Sequence, residues 1–462
     1  MIKIIFLLKT KNDLIFIYFN IKIHNKMNTQ IPPREKRISH WFLFLFLLIL
    51  SLAFYFTTKD FLYPLSTQTL IPELQTFFLS HFGTYTPLIV KIVTLLDSEK
   101  AYLLLLLLMY NYGNIYKTYF IYASVTIAQL LMAICKIGIL EPRPYWADIN
   151  EETQKKIIPY DCLGGFGSPS THVFTSTVFY FVYWKVIFQS KSRKNQTCLK
   201  YFSLFVIMII LLLVAFVRLL SGSHSLDQII FGFLLGICYY VFVFYVKHIY
   251  VNNSSQLLKY IKLKKTKYIS NIILIIVVYI VVYYIQTNDK ERMALGMKYE
   301  DKIKKVCPEL KDSQILFNES LYLFFIIFSN IGAWFGLKCE YSCMFDKHDQ
   351  NWKKYNFETD ESEIEDRALL ASKITITKEI QWNHTGFIKS IFRLIFMCLF
   401  LSLCTLPYYY ISWDNNIWIV ALGKIGLTLN LYTFTMFFLL KQILKWIKLS
   451  NLTLFTMLRE SI

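Results

Sequence analysis

Long apolar runs recur along this chain, and they constrain it more than any other feature, because a segment buried in lipid must satisfy every backbone N–H and C=O internally. In order the runs are Trp41–Phe56, Asp97–Tyr112, Thr118–Leu140, His172–Phe188, Tyr201–Leu219, Gln228–Tyr245, Ile269–Tyr284, Leu321–Leu337, Ile391–Ile411 and Ile417–Leu440. Each approaches the roughly 20 residues that a helix needs to cross a bilayer. Only 17% of the 462 residues are charged, against about 25% in soluble domains. The expected fold is therefore all-α, a polytopic membrane helical bundle. Its expected parts are a cytosolic segment at 1–40, a six-helix core at 41–247, a basic cytosolic loop at 248–268 and a C-terminal membrane region at 269–462 with about four further transmembrane helices.

Charge sets the orientation. Arg34, Lys36 and Arg37 precede the first run, Lys191, Arg193, Lys194 and Lys200 follow the fourth, and Lys259, Lys262, Lys264, Lys265 and Lys267 follow the sixth. Placing these clusters in the cytosol puts residues 58–96 and the loop 141–171 on the outer side and both termini inside. The net charge of +18 is spread over such short runs and forms no continuous basic face, so no nucleic-acid partner is expected. Residues 1–26 hold two apolar patches broken by Lys9, Lys11 and Asp13, too short to span; they read as a degenerate signal or as preceding a start at Met27. Residues 346–390, with an acidic run at 358–366, read as a solvated face or mobile loop. The nine cysteines are scattered without the spacing of a disulfide framework, and Cys339, Cys343 and His348 lack a fourth partner for a metal.

Three polar clusters fall on the expected outer side. The central one is Gly164–His172, GGFGSPSTH. Ser168 is expected to cap a helix with Pro169 in its first turn, so that the amides of Ser170, Thr171 and His172 crown a helix N-terminus, where free N–H groups and the dipole favour an anion. The second is Lys136-x6-Arg143-Pro144, in which seven residues make two helical turns, so Lys136 and Arg143 can share a face, although Pro142 and Pro144 are expected to end regular helix near there. The third is Arg218-x5-His224-Ser-Leu-Asp227-Gln228, in which Ser225 and Gln228 spell a capping box. Taken singly, each cluster is equally a snorkelling cation or a helix cap. Together, three cations and two imidazoles at one membrane face are costly unless they share an anion. They are also the parts needed for phosphoryl transfer without a metal: cations for the equatorial oxygens, one imidazole to attack phosphorus, and one to protonate the leaving oxygen.

These clusters resemble the three signatures of the type-2 phosphatidic acid phosphatase superfamily, which includes glucose-6-phosphatase and the vanadium haloperoxidases. The resemblance covers about residues 90–245. It implies that the six-helix core is a phosphatase, that His224 is the nucleophile forming a phosphohistidine, and that His172 is the general acid. It further implies that Lys136, Arg143 and Arg218 bind the phosphate with Ser170, Thr171 and loop amides, and that neither metal nor other cofactor is required. The chain departs from the family at three places. Thr171 stands where Gly is usual, a variant similar to sphingosine-phosphate phosphatases. Val217 replaces the usual Ser before Arg218. Gln228 occupies the place of the orienting acid, as in glucose-6-phosphatase, with Asp227 one residue earlier. Residues three and four places apart on a helix are neighbours, so Asp227 is the expected orienter of His224, with Gln228 as the alternative.

The resulting expectation is a metal-independent, integral-membrane phosphatase of an endomembrane or the plasma membrane, with a non-cytosolic site. Its partners are membrane lipids and a phosphorylated lipid substrate: phosphatidate, lysophosphatidate, sphingoid-base phosphate or polyprenyl diphosphate. A soluble sugar phosphate is the alternative substrate. A catalytically silent scaffold of the same fold is the rival from a different class.

Overall fold

A computed structural model describes residues 2–9, 14–21, 34–112, 115–146, 157–162, 165–188, 197–250, 273, 276, 280, 307, 328–339, 387–410 and 427–446. Gly164, the basic residues at 191–194, residues 251–268 of the basic loop, the run Ile269–Tyr284 apart from three residues, the stretch 287–320 apart from Cys307, the mixed-charge stretch 346–386, Cys343 and His348 lie outside them. One antiparallel hairpin, β1 (Ile2–Lys9) with β2 (Leu14–Ile21), pairs Ile2 with Ile21 and Lys9 with Leu14. Everything described after it is helix and connecting loop.

The helices of the first half are α1 (Arg34–Pro64), α2 (Ile71–Phe82), α3 (Thr86–Thr94), α4 (Glu99–Tyr112), α5 (Ile115–Ile139), α6 (Thr171–Ile187), α7 (Thr197–Leu220) and α8 (Leu226–Tyr250). Four apolar helical stretches are long enough to cross a membrane among the described residues: Phe42–Tyr110, Lys117–Lys136, Thr197–Leu220 and Leu226–Phe244. Shorter apolar helices lie at Ile391–Leu403 and Thr428–Leu439. The protein is thus an all-α helical membrane bundle.

Two expectations are corrected. The first helix does not stop at Phe56 but continues to Pro64, and 58–96 is largely helical. Thr57 and Thr58 donate their hydroxyls back to carbonyls of the preceding turn, Ala53 O at 2.8 Å and Phe54 O at 2.7 Å, so their polar groups are satisfied within a helix that runs past the apolar stretch. The cysteines are not all independent, since Cys162 and Cys307 form a disulfide across 145 residues. No local spacing encodes a bond between positions so far apart. Cys162 lies in the loop 141–171 expected outside, where disulfides persist.

Helix α6 is the hub. Val173 to Tyr180 are all buried, and the tight fit against α8 depends on small residues. A Cβ on Gly232 would lie 2.8 Å from Ser170 O, and one on Gly236 2.8 Å from Thr177 Cβ. Lipid tails are as apolar as the side chains, so close approach of small residues drives helix association in a bilayer. Helix α7 shows the complementary pattern. Ile207, Leu211, Val214 and Arg218 form a buried stripe, while Leu199, Phe202, Phe205 and Leu212 are exposed, the division expected of a peripheral span. The C-terminal helices join the same apolar core, with Ala333, Leu337, Met397, Leu401 and Phe437 packed with residues of α4, α5 and α6. Asn330 donates its amide to Thr126 Oγ1 of α5 at 3.0 Å.

Candidate active site

The site forms at one end of the bundle, where the loop after α5, the segment before α6 and the turn between α7 and α8 meet. Helix α6 begins at Thr171 with Ser170 as its N-cap, extended at φ −66°, ψ 111° and making no side-chain cap bond. This corrects the expectation that Ser168 caps and Pro169 opens the helix; Pro169 follows a cis peptide bond instead and stays outside it. The amide of Ser170 is bound to Gln228 O at 3.1 Å. The amides at the start of α6 therefore belong to Thr171 and His172.

The cationic residues are deeply held. Lys136, at the end of α5, is 4% exposed and donates Nζ–H to Phe166 O at 2.8 Å. Arg143 is 3% exposed and donates Nε–H to Gly165 O at 2.8 Å and Nη1–H to Ser223 O at 3.1 Å. Its Nη1 also lies 3.1 Å from His224 Nε2. Since guanidinium only donates, this contact makes Nε2 the acceptor, so the proton of a neutral His224 sits on Nδ1.

Arg218 is fully buried and is clasped by two carboxylates that inspection of local motifs does not reveal. Asp97 accepts from Nε at 2.9 Å and from Nη2 at 2.6 Å, and Asp161 accepts from Nη1 at 2.8 Å. Asp97 ends the short turn after α3, 121 residues from its partner. Asp161 adjoins the disulfide at Cys162, in a strip anchored by Gln75 of α2. That carboxamide donates to Ile158 O at 2.7 Å and Leu220 O at 2.9 Å, and accepts from Ile158 N–H at 2.9 Å.

His224 sits in the turn after α7, completely buried, its amide bound to Arg218 O at 3.2 Å. Gly222, at φ +67°, lets the chain reverse there, a conformation that favours glycine. Burial holds the imidazole well below its ordinary basicity, reinforced in order by the charges of Arg143, Lys136, His172 and Arg218. All five nitrogen-bearing side chains expected from the sequence therefore act on one locus. Around them Ser170, fully buried, and Thr171 mark the start of α6, and the Oγ of Ser170 and Nδ1 of His172 are buried polar atoms with no hydrogen-bond partner among the described residues.

The atom facing His224 Nδ1 is Gln228 Oε1, at 3.3 Å. The same oxygen accepts Ser225 N–H at 3.3 Å, which is half of the expected capping box. Asp227 makes no hydrogen bond to His224. The other half of the carboxamide is occupied by Glu141, which sequence reading overlooked because it lies between the motif positions Lys136 and Arg143. Gln228 Nε2 donates to Glu141 Oε2 at 3.2 Å and to Pro142 O at 2.9 Å. Residue 167 has to be glycine for this to fit: a Cβ there would fall 2.6 Å from the Gln228 carboxamide and 2.8 Å from Pro142 O.

Residues 117–251 match the PAP2 superfamily. No curated protein and no solved structure matches the chain.

Proposed function

We propose, from the match of residues 117–251 to the PAP2 superfamily, which supports phosphatase activity toward phosphorylated substrates, that the chain is a metal-independent lipid phosphate phosphatase acting through a phosphohistidine on the non-cytosolic side of its membrane. The observation that carries this reading is the placing of His224. Its Nδ1 faces an acceptor, its Nε2 lone pair faces Arg143, and three further charged or titratable side chains, Lys136, His172 and Arg218, bear on it.

In the first step His224 Nε2 attacks phosphorus and the P–O bond to the lipid alcohol breaks. His172 gives its proton to the departing oxygen, so the alcohol leaves neutral. Arg143 transfers its Nη1 donor from the imidazole to a phosphoryl oxygen as the substrate enters. Lys136 and the amides at the start of α6 neutralise the remaining equatorial oxygens, with Ser170 and Thr171 adding hydroxyl donors and Arg218 a more distant charge. In the second step neutral His172 takes a proton from water, the hydroxide attacks phosphorus, the N–P bond breaks, and inorganic phosphate departs. A lipid substrate suits a pocket at the end of a membrane bundle, where a headgroup reaches the site while its tails stay among the spans.

The test is phosphate release from phosphatidate, lysophosphatidate, sphingoid-base phosphate, polyprenyl diphosphate and glucose 6-phosphate by membranes containing the protein, with EDTA present. Turnover of a lipid ester that survives EDTA, with a labelled phosphoenzyme absent from His224→Ala, is the expected result. Labelled phosphohistidine persisting in that variant would remove His224 from the role. Preference for the sugar ester would move the substrate to the soluble class, a reading that Gln228 beside His224 favours. Silence on every ester by a folded protein would leave the scaffold reading.

A further inference from the structure

We propose that Glu141, braced by Tyr55, is a positioning residue that sets the tautomer and aim of the nucleophile through the carboxamide of Gln228. This rests on the phosphatase reading for its kinetic consequence, but not for its geometry. Tyr55 donates its hydroxyl to Glu141 Oε2 at 2.9 Å. Its ring, 1% exposed, stacks on Phe231 of α8 with centroids 4.4 Å apart, so the donor is fixed by packing. The backbone of Glu141 is fixed as well, its carbonyl accepting Gly167 N–H at 2.7 Å.

These anchors determine which way the Gln228 carboxamide points. Its NH2 end meets two acceptors, Glu141 Oε2 and Pro142 O, while its oxygen meets the donor Ser225 N–H. Reversing the amide would set oxygen against two oxygens and NH2 against N–H, losing three bonds at once. Oε1 must therefore face His224, and since that oxygen only accepts, Nδ1 must carry the proton. Arg143 reaches the same conclusion from the opposite edge of the ring, because its donor at Nε2 excludes a proton there. Two unconnected groups thus select the one tautomer whose Nε2 can attack. Burial pushes the Glu141 carboxyl above its ordinary range; in its ionised form it sets a negative charge one amide away from a developing imidazolium, on the loop after α5, and the carboxamide's polarised bonds relay it.

The experiment combines kinetics with a readout independent of turnover. Glu141→Gln is expected to lower kcat about tenfold with KM changed less than twofold, and Gln228→Ala about a hundredfold. In the double variant Glu141→Gln/Gln228→Ala, kcat should be no lower than in Gln228→Ala alone, because Glu141 has then lost its route to the ring. Moving the charge with Glu141→Gln/Gln228→Glu should restore kcat to within about threefold of wild type, which a purely structural role would not do. Tyr55→Phe removes one oxygen and is expected to cost two- to fivefold in kcat. Histidine-selective 15N NMR of the full-length protein should show His224 as the Nδ1–H tautomer, mixed with Nε2–H in Glu141→Gln. Fully multiplicative losses in the double variant, or an Nε2–H tautomer in the wild type, would overturn the proposal; the tautomer result stands whether or not any ester is turned over.

Discussion

Arg143 and Arg218 are both buried arginines near His224, yet they meet it differently. The bonds of Arg143 include two backbone carbonyls and the His224 imidazole itself. Those of Arg218 run to two carboxylates. Among the four charges depressing the His224 imidazole, Arg143 is the strongest and Arg218 the weakest, in keeping with the direct contact of Arg143 Nη1 with Nε2 at 3.1 Å. A guanidinium clasped by carboxylates serves as a structural strut. The one whose Nη1 lies 3.1 Å from Nε2 acts on the nucleophile directly. Equivalent letters in two sequence motifs thus do unequal work.

The comparison breaks most readily at Arg143. Arg143→Ala should reduce turnover about a thousandfold, the upper range for deleting a donor aimed at a transition-state oxygen; phosphate release at saturating substrate measures it, and a loss below tenfold would erase the distinction. Asp97→Asn should act on stability instead, by about 3–5 kcal/mol, because it leaves a buried guanidinium partly uncompensated. Thermal unfolding in detergent tests that, and an unchanged midpoint would mean Arg218 is no strut. A third test uses pH. The His224 imidazole is held below its ordinary value, so it stays neutral and nucleophilic below the usual histidine pKa of about 6.5. The acidic limb of the kcat/KM profile should therefore fall below that pH and rise toward it in Arg143→Lys or Arg143→Ala to the extent that the charge is displaced or lost. Asp161→Asn should matter least. Its side chain is 31% exposed, so solvent screens the pair and a cost of no more than about 1 kcal/mol is expected.

The parts of the site legible in the sequence are those whose geometry is local. Lys136 and Arg143 are seven residues apart, although the helix ends between them at Ile139; Ser170 to His172 share one helix start, and Ser225 to Gln228 share another, and each set announces itself by spacing. Asp97, Tyr55 and Glu141 do not, because their contacts to Arg218, Glu141 and Gln228 close over 121, 86 and 87 residues, and nothing near them in the chain marks the partner. The helix start at Thr171 slipped from Ser168 for a related reason. Capping preference reads the side chain, whereas here Ser170 is placed by tertiary bonds, with its amide on Gln228 O. The helical bundle itself was legible from hydropathy, since lipid allows few alternatives, but the helical stretch from Thr57 to Thr94 was hidden by its polar residues.

The Cys162–Cys307 bond has a practical corollary. Whatever the second half of the polypeptide contributes, it is riveted to the strip that carries Asp161. Cleaving the chain between residues 250 and 300 should yield two pieces that migrate as one until thiol is added. A shortened gene product ending near residue 250 would be a different mechanical object from the catalytic half of the intact protein, and its behaviour would be a poor guide to the whole.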